Sequence, residues 1–110
     1  MREIYLEKLQ SHISKSRTDH SIRVEKTAIT IANGYSDIDK QAVQAAGLLH
    51  DIAKQETPES FKLLGIDVAH LNEYWTHFPA VWHAFSAPLL IHHYFPNISK
   101  AVELPVMYHT

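Results

Sequence analysis

The sequence contains no cysteine, which excludes disulfides and any metal site built on thiolates. It has no excess of positive charge either. Ten Lys and Arg against twelve Asp and Glu leave a formal net charge of −2, so there is no basic stripe to hold a nucleic acid polymer. No apolar run approaches the length of a membrane span. Met1-Arg2-Glu3-Ile4 lacks the apolar core of a secretory signal. The expectation is a cytoplasmic protein with neither a membrane nor a nucleic acid polymer as partner. Strand-length alternation, internal repeats and low-complexity tracts are also missing, which leaves an all-α fold. The 110 residues suffice for a single domain spanning 1–110. Such a domain buries about two thirds of its unfolded surface. The 45% apolar content argues against disorder.

What the chain does have is histidine. There are nine, at 12, 20, 50, 70, 77, 83, 92, 93 and 109. They form no tract, so they are either ligands gathered from separate helices or surface residues. The order of elements separates the two cases. Ile4, Leu6, Leu9 and Ile13 suit a first amphipathic helix ending near Ser14-Lys15-Ser16. Ser16, Thr18 or Asp19 can cap a second helix, which runs to Asn33-Gly34 with Gly34 in the left-handed terminal position. Its inward line is Val24, Ala28, Ile31 and Tyr35, and one turn back on that line is His20. A third helix, capped from Ser36-Asp37-Ile38-Asp39, carries Ala42, Ala45, Ala46, Leu49, Ile52 and Ala53 on one face. Gly47 in its middle either clears space beside His50 or lets another helix pack closely.

Thr57-Pro58-Glu59 predicts a short helix stopping at Gly65, and Asp67 caps another piece through Leu71. Tyr74-Trp75 and Phe78-Pro79 read as an aromatic connection, with Trp75, Phe78 and Trp82 in the core. Pro88 is awkward for a helix starting at His83. Ser86 as cap places Pro88 in a first turn and leaves His83 just before it. Pro96-Asn97 breaks the chain, and Ser99 caps a last helix that Pro105 bends or ends.

The strongest chemical signal is Gly47-Leu48-Leu49-His50-Asp51-Ile52-Ala53-Lys54. Here a histidine and an aspartate interrupt the most apolar helix of the chain. With His20 from the preceding helix they make a nitrogen–nitrogen–carboxylate set. Such a set suits iron, manganese, zinc or magnesium-like ions and leaves positions open for water or substrate. An ion held there activates water and polarises a phosphoryl oxygen. Lys54 lies on the same side of the helix and could steer an anion. Alternative readings stand beside these. His20 can be a core histidine bonded to backbone, Asp51 can pair with Arg23 or Lys54, and Lys54 can be a solvated residue at a helix end. His12, His70, His77, His92 and His93 read as surface or partly packed.

His20-Ser21-x-Arg23-Val24, then Ala46-Gly47-Leu48-Leu49-His50-Asp51-x-Ala53-Lys54, an isolated His83 and Tyr108-His109-Thr110 together resemble the HD-domain phosphohydrolases. Within them the pattern is similar to the bacterial YqeK-like branch, which cleaves diadenosine tetraphosphate symmetrically to two ADP. The resemblance implies an HD-type helical bundle. It implies a ferrous or ferric ion, with manganese or zinc as alternatives, on His20, His50 and Asp51, and Arg23 supporting them. By the same resemblance Lys54, His83, His109 and Thr110 line the phosphates of a nucleotide or dinucleoside polyphosphate.

Two departures qualify it. Ala84-Phe85-Ser86 stands where the family has Gly and Pro, and the family's last metal-binding aspartate lies beyond Thr110. Glu103 is the only acid after His83. The expectation is therefore a truncated bundle, C-terminally incomplete relative to the family, with a second copy of the chain covering the surface left behind. The competing functions are a non-catalytic nucleotide- or metal-binding regulatory module and a plain helical interaction domain.

Overall fold

The computed structural model describes residues 1–102. His109 and Thr110 lie outside the described residues, and so does the end of the last expected helix. Helices follow in order: α1 Arg2–His12, α2 Lys15–Ala32, α3 Lys40–Leu49, α4 Pro58–Leu63, α5 Asn72–His77 and α6 Pro79–Tyr94, with a 3₁₀ turn Ala69–Leu71 before α5, and residues 100–102 are helical at the edge of the described residues. No strand occurs among the described residues, and no described helix is long and apolar enough to cross a membrane.

Local capping accounts for most of the helix starts. Asp39 Oδ1 accepts from Ala42 N at 3.1 Å and opens α3. Thr57 and Ser60 form a reciprocal capping box in front of Pro58, which opens α4. Asp67 Oδ1 accepts from Ala69 N at 3.0 Å and starts the 3₁₀ turn. Each of these satisfies donors that the first turn cannot satisfy itself.

Helices α2 and α3 make the most extensive contact in the fold, and α1 packs across both. Gly47 explains how α2 and α3 come so close. A Cβ at that position would lie 3.1 Å from the Glu25 Cα and 3.4 Å from the Ala28 Cβ. Close helix packing is thus observed, and Gly47 also lines the cavity beside His50 and Asp51. The core is filled by Leu9, Leu48, Leu49, Ile52, Phe61, Trp82, Leu90 and Ile91, all without exposed surface. Trp82 sits edge-on to Phe61 and Trp75, with centroids 5.3 and 5.0 Å apart.

Several expectations need correction. Ser14, not Ser16, Thr18 or Asp19, caps α2, its hydroxyl facing Arg17 N at 3.4 Å. The glycine in the left-handed region is Gly65, at φ +77°, while Gly34 is not. The buried line of α2 is Thr18, Ser21, Glu25 and Ala32. Val24 and Ala28 are half-buried, and Ile31 and Tyr35 are exposed. The approach of α3 at Gly47 decides this by turning the Glu25 side of α2 inward. Glu25 is only 2% exposed because Arg2 grips both its carboxylate oxygens at 2.9 Å and Gln44 donates to it at 3.1 Å.

The segment around Tyr74-Trp75 is helix α5, and Phe78 is exposed. Helix α6 begins at Pro79, so Ser86 is a buried mid-helix residue and Pro88 lies inside the helix. An internal proline costs about 3 kcal/mol. Burying a tryptophan's ~200 Å² at ~25 cal/mol/Å² contributes about 5 kcal/mol. Extending α6 back to Pro79 brings Trp82 into the core, and that gain outweighs the proline.

Candidate metal centre

Helix α3 ends at Leu49, and the chain continues through a turn over residues 50–55. His50 and Asp51 open that turn and are both buried. The His50 Nδ1 is 2.8 Å from the Gly47 carbonyl oxygen. A carbonyl can only accept, so Nδ1 carries a proton, and in the neutral ring Nε2 is then the nitrogen able to ligate. Nε2 lies 3.5 Å from Asp51 Oδ1. His20 projects from α2 on the other side of the gap, its ring 5.5 Å from that of His50 at an angle of 62°.

One donor atom from each of His20, His50 and Asp51 falls within 4.8 Å of the others. Two ligands each about 2.0–2.2 Å from one tetrahedral ion stand about 3.3–3.6 Å apart. His50 Nε2 and Asp51 Oδ1 already meet that spacing at 3.5 Å, so closing the set on an ion takes a movement of the His20 ring. His20 is exposed and can rotate to supply it. The donor set, two imidazoles and a carboxylate, is one that Fe, Mn and Zn accept.

The three side chains open into a cavity of about 580 Å³ that Arg17 and Lys54 also line. Val24, Ala28 and Val43 give it an apolar wall. Arg17 Nη1 reaches Asp51 Oδ2 at 3.5 Å. Two cations thus border a buried carboxylate and two imidazoles. That arrangement is suited to an anion placed beside the candidate ligand set.

Arg17 was missed in the sequence, although it sits one turn before His20 on the same helix face. The step from Val24 back to His20 leads on to it. Arg23, assigned the supporting role, is exposed and borders a shallower cavity with His20, Val24 and Thr27. The arginine that meets Asp51 is Arg17.

His83 is not part of the cavity wall. It is half-buried on α6 beneath the turn, between the rings of Trp75 and Trp82. Its Nδ1–H donates to the Ala53 carbonyl at 2.8 Å. Burial lowers its pKa, the Lys54 and Arg17 cations lower it further, and the Ala53 bond and Asp51 oppose them. His70, His77, His92 and His93 are exposed. His12 is half-buried, away from the cavity.

No curated protein and no solved structure matches the chain significantly. The HD domain family model matches residues 17–103, a span that begins at Arg17 and takes in His20, His50 and Asp51. That match covers most of the sequence and agrees with the all-helical fold, so the chain belongs to the HD domain family of metal-dependent phosphohydrolases.

Proposed function

We propose that this protein hydrolyses a phosphoanhydride of a nucleotide, with diadenosine tetraphosphate, cleaved to two ADP, as the substrate and iron as the metal. The observation that carries the reading is the meeting of three ligand atoms within 4.8 Å in a cavity that Arg17 and Lys54 also line. His20, His50 through Nε2 and Asp51 would hold the ion. A bound divalent ion supplies Lewis acidity and a water nucleophile at neutral pH. Arg17 and Lys54 bind phosphate oxygens, Arg17 as a planar fork and Lys54 as a point charge. In this reading His109 and Thr110 complete the phosphate contacts, and His83, which lies off the cavity wall, supports the turn through the Ala53 carbonyl. Water adds to one of the two central phosphorus atoms, the central P–O–P bond breaks, and the released phosphate takes a proton as ADP. The apolar line through Val24, Ala28 and Ile31 is covered by a second copy of the chain, which sedimentation would detect.

The test is turnover of diadenosine tetraphosphate by metal-free protein reloaded with Fe²⁺ or Mn²⁺, with ADP quantified by anion exchange. Activity should appear with metal and vanish in His50→Ala. Activity that persists in His50→Ala removes the assignment. One observation favours a second reading, a metal- or nucleotide-binding regulatory module. Among the described residues the donor cluster holds a single carboxylate. Metal uptake without turnover of any nucleotide would establish that reading instead.

A further inference from the structure

The turn that carries His50, Asp51 and Lys54 is held in part by side chains distant in sequence. Three of its backbone bonds close over three residues: Ile52 N to Leu49 O at 3.1 Å, Lys54 N to Asp51 O at 2.9 Å and Glu56 N to Ala53 O at 3.0 Å. Such three-residue closures are weaker than an α-helical ladder. The far end of the turn is instead tied down by side chains. Both carboxylate oxygens of Glu56 are engaged, one by His12 Nδ1 and the other by Ser60 Oγ at 2.6 Å. An ionised carboxylate only accepts, so His12 Nδ1 is the donor. His12 Nε2 pairs with Tyr94 Oη at 2.9 Å, and Lys8 Nζ sits 4.3 Å over the Tyr94 ring. One residue earlier, Gln55 Oε1 accepts from Ser14 N at 2.6 Å.

None of His12, Glu56, Ser60 or Tyr94 lines the cavity of the candidate metal centre. Their place in the chain gives them another use. His12 ends α1, and Ser14 caps α2. Arg17 and His20 occupy the first turns of that same α2. Glu56 and Gln55 end the turn that starts with His50 and Asp51. The cluster therefore joins the two segments that bear the candidate ligands and braces the joint against α4 and α6.

We propose that His12, Glu56 and Tyr94 are positioning residues that set the separation of His20 from His50 and Asp51. The proposal rests on reading those three as metal ligands. A carboxylate–imidazole–phenol chain with little exposure is suited to the task, because each member fixes the rotamer of the next.

The experiment compares Glu56→Ala, His12→Ala, His12→Asn and Tyr94→Phe with the wild type by amide hydrogen exchange and by Co²⁺ titration followed in the visible spectrum. In Glu56→Ala and His12→Ala the amides of Ile52, Lys54 and Glu56 should exchange about tenfold faster, the loss expected for one hydrogen bond to a charged group. Amides within α3, from Ala45 to Leu48, should keep their wild-type rates. Apparent Co²⁺ affinity should fall about tenfold with the same loss. His12→Asn keeps a donor near the position of Nδ1 and should restore most of both effects, and Tyr94→Phe should show a smaller one.

Wild-type exchange of the three turn amides in Glu56→Ala overturns the proposal. So does a uniform rise across α3 and the turn, which is general destabilisation. Should wild-type protein take up no Co²⁺, the metal reading of the previous subsection fails, while the exchange comparison still decides whether this cluster holds the turn.

Discussion

Helix α3 and the turn after it are consecutive pieces of one chain, held by different means. In Lys40–Leu49 the backbone closes its own bonds, Asp39 supplies the cap, and Ala42, Ala45, Ala46, Leu48 and Leu49 face the core. In residues 50–56 the ties come from afar. His12 holds Glu56, Ser14 holds Gln55, Arg17 meets Asp51 and His83 holds the Ala53 carbonyl, partners 30 to 44 residues distant in sequence. The helix is a packing element whose geometry is nearly self-determined. The turn is a chemical element whose geometry is imposed by its surroundings. Substitutions in the two halves should therefore fail in different ways.

The largest effect is expected in the turn. Asp51→Asn keeps the shape of the side chain and removes the carboxylate proposed as the anionic ligand. Substitutions behind metal ligands cost about 10–100-fold in affinity or activity, and loss of a ligand should exceed about a hundredfold. Stability should barely move. Arg17 is about 43% exposed and can be solvated when its partner is neutralised, so the pair contributes about 1 kcal/mol or less. Metal content after gel filtration and a urea midpoint measure the two separately. Retained metal in an unfolding-prone Asp51→Asn protein would reverse the contrast between helix and turn.

In the helix half, Gly47→Ala tests packing. An ordinary mid-helix glycine gains about 1 kcal/mol on replacement by alanine. Here the added Cβ would stand 3.1 Å from the Glu25 Cα, a backbone atom that cannot step aside without moving α2. Overpacking of this kind costs about 1–3 kcal/mol. The urea midpoint should therefore fall despite the propensity gain. A variant more stable than wild type would show that the close approach of α2 and α3 is not required.

These two cases also mark how far the sequence can be read. Caps that act within four residues, at Asp39, Thr57 and Asp67, were legible because the donor and the acceptor share one turn. The buried face of α3 was legible for the same reason, since its periodicity and its burial coincide. The buried face of α2 was not. Its apolar line, Val24 to Tyr35, suggests one inward face, but Glu25 with Arg2 and Gln44 occupies the buried side. Only the approach of α3 decides between the two lines. The sequence places the start of α6 too late, because the cost of Pro88 is local and visible, whereas the compensating burial of Trp82 is not. His20, His50 and Asp51 could be named from spacing, and the structure places them together. Arg17 could not be chosen over Arg23 without knowing where α2 begins.

Arg17 gives the next effect in size. It touches Asp51 without belonging to the ligand set, and it faces the cavity. Arg17→Ala should leave metal affinity within a few-fold of wild type and raise KM for a phosphoanhydride substrate about tenfold, the loss of one charge-assisted contact. Arg17→Lys should recover only part of it, because a point charge cannot pair with two oxygens as a planar fork does. An unchanged KM in Arg17→Ala would confine this residue to holding Asp51.

The smallest effect is a pH dependence carried by His83, which ties α6 to the turn at Ala53. Burial, the main cause, holds its pKa below the ordinary 6.5, with Lys54 and Arg17 adding to the shift and the Ala53 bond and Asp51 opposing it. The folded protein therefore binds this proton less readily than the unfolded chain. Above about 6.5 both states carry a neutral ring, and its contribution to stability is complete. As pH falls below that value the unfolded chain takes up the proton first, so stability is lost until the pH has passed the lowered folded value. His83→Asn keeps a donor for the Ala53 carbonyl and cannot titrate. Its urea midpoint should decline less than that of wild type as pH is lowered from 7 into this window, and the two curves should run parallel above it. Parallel curves throughout would mean that the ring is not held neutral beneath the turn, and that Ala53 is bound equally well by the charged form.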